Sequence, residues 1–147
     1  MTRLMSIELA LLCTFSAASL WAVDLNSVQQ EPNLEKRSQL AMESANSALD
    51  TARTAYQAND MDKTRASLDE VGEAVNLAYT SLKQTGKEAR RDPNFKKTEL
   101  ATRQMLRRID GMAEGMNFED RSLVDKLRER VTAIHENLLQ DIMAKKK

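Results

Sequence analysis

Four amphipathic stretches of nearly equal length, Leu34–Ala58, Met61–Thr85, Pro93–Met116 and Glu119–Met143, follow one another with only short breaks between them. Antiparallel helices bury their apolar stripes fully only when neighbours cover one another from end to end. Matched lengths therefore point to an all-α protein, an antiparallel up-down-up-down four-helix bundle made of two long helical hairpins. At 1.5 Å per residue each helix would be about 35 to 38 Å long.

The stripes are regular. In the first stretch Leu34, Ala41, Ala45, Ala48, Ala52 and Ala55 share a face, with Met42, Leu49 and Tyr56 beside it every seven residues. Small seam residues let a partner helix come close. Pro32-Asn33 suits a helix start, and Asn59-Asp60 a turn in which Asp60 caps the next helix. That helix carries Thr64, Leu68, Val71, Val75, Ala78 and Leu82, and Gly86 stops it by accepting positive φ. Asp92-Pro93 reads as a cap followed by proline in the first turn, where a missing N–H does no harm.

The third stripe is Phe95, Thr98, Thr102, Met105, Ile109, Met112 and Met116, with Gly111 and Gly115 weakening its last turns. The fourth is Val124, Leu127, Val131, Ile134, Leu138 and Ile142. Ser122 with Asp125 offers a second capping box that would move its start by two or three residues.

The N-terminus reads as an export signal. Met1-Thr2-Arg3 is weakly basic, Leu9 to Ala18 is mostly apolar, and small residues follow at Ser16, Ala17, Ala18, Ser19 and Ala22. Cleavage is expected after Ala22, with Ala18 as the alternative, which makes the mature protein periplasmic or secreted. The apolar run falls short of the roughly 20 residues a spanning helix needs, and no later segment approaches that length. Leu12 before Cys13 does not fit a lipid-attachment site. Residues 1–22 are thus assigned to the signal, 23–33 to an extended or disordered segment, 34–143 to the bundle and 144–147 to a disordered basic tail.

Removing the signal takes away the only Cys and the only Trp, Cys13 and Trp21. The mature chain then has no disulfide and no thiol chemistry. With one histidine and no cysteine, the common nucleophile and base constellations cannot be assembled. The acidic neighbours Asp69-Glu70-Glu73 and Glu119-Asp120 are ordinary for helix surfaces, so no catalytic residue is assigned and the chain reads as non-enzymatic. No Glu precedes His135 by three residues, so the ligand pattern of carboxylate di-iron bundles is absent, and no metal site is assigned. No cofactor is expected. The alternative is haem held by Met42 near the start of the first helix and His135 near the end of the last, which is similar in outline to cytochrome b562.

Balanced charge hides an asymmetry. Residues 24–85 carry 6 basic and 10 acidic side chains, and residues 86–147 carry 15 and 11. Opposite excesses favour packing of one hairpin on the other, or an anion-facing surface on the second. Lys87 to Arg108 is the basic concentration, with eight cations against three anions. On an ideal helix Lys96, Arg103 and Arg107 share a face almost opposite Met105, Ile109 and Met112, with Leu100 among them. The ordinary reading is a solvated face carrying the pair Glu99→Arg103. The functional reading is a docking surface for an acidic protein or an anionic envelope component. Nucleic acid is a poor partner for an exported, neutral chain whose mature aromatics are Tyr56, Tyr79, Phe95 and Phe118. Assembly into a homo-oligomer is left open.

Two resemblances follow from these residues. Ala52, Tyr56, Asn59-Asp60 and Leu68 form a hairpin similar to tetratricopeptide repeats, which implies an adaptor. Those repeats use a 34-residue period, whereas each hairpin here exceeds 50 residues. The run Thr85-Gly86-Lys87, Arg90-Arg91-Asp92-Pro93, Phe95-Lys96-Lys97, Glu99-Leu100, Arg103, Leu106-Arg107-Arg108 and Phe118-Glu119-Asp120-Arg121 resembles an uncharacterised family of small exported all-helical bacterial proteins. That resemblance implies export and helical structure, and assigns no activity or site residue.

Overall fold

A computed structural model describes residues 24–144; the segment expected to be an export signal, with its expected cleavage site, and the lysines 145–147 lie outside the described residues. Among the described residues every regular element is helical. The helices are α1 (Leu25–Gln29), α2 (Leu34–Gln57), α3 (Met61–Gln84), α4 (Pro93–Glu114) and α5 (Arg121–Met143), with a 3-10 turn at Phe118–Asp120 before α5.

The local chemistry of the boundaries matches their sequence. Asn33 accepts from the Lys36 amide at 3.0 Å, Asp60 from Lys63 at 3.1 Å and Asp92 from Asn94 at 2.9 Å, each relieving an orphan N–H of a first turn. Asn59 (φ 58°) and Gly86 (φ 67°) turn the chain through the left-handed region at the two breaks. Helix α4 stops at Glu114, two residues earlier than its stripe suggests, with Gly115 as its C-cap. Helix α5 begins at Arg121 without the Ser122 capping box, and Asp120 makes no side-chain cap. Its carboxylate instead accepts from the Tyr56 hydroxyl at 2.9 Å.

Within residues 24–33, part of the segment expected to be extended or disordered, Leu25–Gln29 form a helix instead. Asp24 caps a single helical turn by accepting from the Asn26 amide, and Leu25 and Val28, three apart, bury their side chains against α2 and α3. An apolar i, i+3 pair behind an Asp cap is enough to explain this.

One apolar cluster runs through all five helices. Its stripes are those legible in the sequence: Leu68, Val71, Val75, Ala78 and Leu82 on α3, Val124, Leu127, Val131, Ile134 and Leu138 on α5 are all buried. The closest backbone approach is between α2 and α3, where Ala41, Ala45, Ala52, Ala74 and Ala78 are fully covered. Side chains of one methyl group allow that approach.

Within each hairpin the helices run antiparallel, as Arg37 with Gln84 and the pairs Glu99–His135 and Asp110–Arg128 indicate. Across the hairpins they run parallel. Ser38 meets Thr98 and Asn46 meets Arg108 along α2 and α4, and Tyr56 meets Asn117 just past the end of α4. Tyr79 and Lys83 meet Asp141 on α5. Cross-hairpin partners therefore lie a near-constant 55 to 64 residues apart. Antiparallel neighbours describe each hairpin but not the seam between them. The reason lies in the α3–α4 connection, where Lys87 pairs with Glu35 and Ala89 is buried, carrying the chain over the start of α2 before α4 begins.

Candidate functional site

Helix α4 offers four directions, each with its own chemistry. Phe95, Thr102, Met105 and Ile109 face the core, at or near complete burial. Toward α2, Arg108 donates to Asn46 at 2.5 Å and to Asp50 at 2.5 Å, while Arg53 donates to the Arg108 carbonyl at 3.0 Å. Toward α5, Glu99 and Asp110 meet His135 and Arg128. Outward stand Lys96, Leu100, Arg103 and Arg107, all exposed, with Leu100 at 52%.

The predicted pair Glu99→Arg103 is present, with Arg103 Nη2 2.6 Å from Glu99 Oε1. Its setting is different from a surface pair. Glu99 is 6% exposed, and the same Oε1 lies 2.8 Å from His135 Nε2. Burial pushes the Glu99 carboxyl up, but the hydrogen bonds from His135 and Arg103 together outweigh it and hold the group below the usual carboxylate range. The carboxylate joins a half-buried imidazole on α5 to an exposed guanidinium on α4. Sequence reasoning placed neither residue in this contact. The signal was available: Glu99 lies four residues after Phe95 and three before Thr102, and His135 four after Val131 and three before Leu138. Both thus lie within about a sixth of a helical turn of a seam, where facing side chains meet.

Arg103 is consequently committed to Glu99, which leaves Lys96, Leu100 and Arg107 as the free part of the face. Among the described residues the Lys and Arg side chains that form no ion pair or polar contact are Lys63, Arg90, Lys96, Lys97, Arg107, Lys126 and Arg130. Four of these seven fall between residues 90 and 107. Free cations gather where the sequence is most basic.

Met42 and His135 are not brought together. Met42 is buried beside the groove between α2 and α4, near Ser38, Thr98 and Ala101, whereas His135 sits between α4 and α5. No Cα of α2 lies within 8 Å of one of α5. Among the described residues no group of three or more His, Asp or Glu side chains is arranged to hold a metal ion. Among them, too, no helix is long and apolar enough to cross a membrane.

A second feature lies at the turn after α4. Phe118 is 86% exposed, while Tyr56 reaches over from α2 to accept from the Asn117 amide at 3.0 Å and donate to Asp120. The turn is thereby tied to the first hairpin with its aromatic ring left outside. No family model, curated protein or solved structure matches the chain.

Proposed function

We propose that this chain is an exported, non-enzymatic four-helix bundle that acts by contact, with the outward face of α4 docking on an acidic protein or an anionic component of the cell envelope. The observation that carries the reading is the pairing pattern on α4. Arg103 and Arg108 are neutralised by Glu99 and Asp50, yet Lys96 and Arg107 stay free on either side of the exposed Leu100. Cations flanking an apolar side chain suit a partner that combines negative charge with some apolar surface. Export rests on the basic start, apolar run and small residues of 1–22, together with the resemblance of the Thr85–Arg121 run to small exported proteins.

A polyanion pull-down at physiological salt tests the face directly. Lys96→Gln with Arg107→Gln, leaving Arg103 on Glu99, should weaken capture and flatten its salt dependence. Equal capture of the double variant would reduce the face to a solvated surface.

A tetratricopeptide-like adaptor is the second reading, and one observation favours it. The two hairpins stack side by side in the same direction at a near-constant register, as successive units of a helical repeat do. Helices of 22 to 24 residues are long for such units.

A further inference from the structure

We propose that the groove between α3 and α5, which shares no residue with the outward face of α4, binds a single-chain amphiphile with a carboxylate head, a fatty acid. Leu68 and Leu127, 3% and 5% exposed, form its floor with the half-buried Leu123. Arg65, Lys126 and Arg130 stand around them, and Asp69 is the one carboxylate in the lining. The groove is open to solvent along one side and offers about 340 Å³, within the volume range of small-molecule sites.

Two observations argue that these cations are set for a ligand. Lys126 and Arg130 make no ion pair or hydrogen bond among the described residues, although Asp69 shares the groove with them. Arg65 has one contact, 3.5 Å from an Asp62 side chain that is 99% exposed. The groove therefore holds net positive charge over an apolar floor. Arg130 is also positioned. Its side chain lies across Gly72 of α3, where a Cβ would sit 2.8 Å from Nη1 and 3.0 Å from Cδ. Glycine inside a helix is unfavourable relative to alanine, and here its bare Cα makes the room in which the arginine lies. A guanidinium that lies over the groove can take up a carboxylate through two parallel N–H···O bonds. Three leucines and a volume of this size fit one acyl chain rather than a docking helix.

The test is displacement of a fluorescent fatty acid from the mature chain by dodecanoate below its micelle concentration. Dodecanol and acetate serve as probes of the chain and the head alone. Dodecanoate should compete saturably and at least about tenfold better than either. Lys126→Gln with Arg130→Gln should weaken it about tenfold while the helical circular dichroism is kept. The separate double variant Lys96→Gln, Arg107→Gln should bind dodecanoate as the parent does, which keeps this site distinct from the α4 face. Absence of saturable binding, dodecanol competing as well as dodecanoate, or unchanged affinity in the Lys126/Arg130 variant would each overturn the proposal.

Discussion

Replacing His135 by Ala removes the donor that faces a carboxylate only 6% exposed and leaves Glu99 with Arg103 as its polar partner. A hydrogen bond to a charged group contributes about 1.5–3 kcal/mol, and a neutral one about 0.5–1.5. His135→Ala should therefore destabilise the protein by about 2 kcal/mol, and by about 1 kcal/mol in a Glu99→Gln background, where the acceptor carries no charge. The difference, about 1 kcal/mol, is the coupling between the two residues, well above the few tenths expected of independent sites. Urea unfolding of the four proteins of this cycle, with equal m-values, measures it. Acid supplies a second arm. Because the folded Glu99 carboxyl titrates below its ordinary value of 4.5, its stabilisation is present above that value and lost as pH falls through the lower folded one. Glu99→Gln should remove that part of the acid limb. A His135→Ala loss below about 0.5 kcal/mol, or no coupling in the cycle, would refute the contact as a structural tie between α4 and α5.

Other outcomes follow from the same geometry. Ala45→Leu, on the fully buried and closest helix pair, should destabilise by about 1–3 kcal/mol through overpacking, read as a lower urea midpoint. Asp60→Ala should remove the cap of α3 at a cost of about 1 kcal/mol, measured the same way. Burial, followed by the hydrogen bond and charge of Asp141, pushes the Tyr79 hydroxyl up to about 12. The raised value means that its stabilisation is intact below the ordinary 10 and lost as pH rises toward 12. Ultraviolet titration should thus show one phenol near 12 that disappears in Tyr79→Phe.

The long helices were legible because their three-four rhythm extends over 22 to 24 residues and ends at residues with clear roles, Asn33, Asp60, Gly86 and Asp92. Helix α1 was not, since one turn carries too few apolar positions to establish a period. The parallel seam between hairpins was also hidden. Amphipathic stripes say that a helix has a buried face, but the residues 86–92 that decide which helix lies beside which carry no periodicity. Leu100, Lys96 and Arg107 were correctly placed outward by helical geometry alone. Glu99 was seen only along its own helix, as the partner of Arg103, because a contact with His135, 36 residues away, depends on how α4 and α5 are set against each other. The Gly72 and Arg130 contact was beyond sequence reasoning for the same reason.

Proximity labelling in the protein's own host tests the proposed docking role of α4 most directly, by comparing the parent chain with Lys96→Gln, Leu100→Ser, Arg107→Gln at matched abundance. All three residues are exposed, so the fold should be unaffected. The account predicts that the parent labels a restricted set of envelope or exported components and that the triple variant loses them. Identical labelling by the two proteins would contradict it.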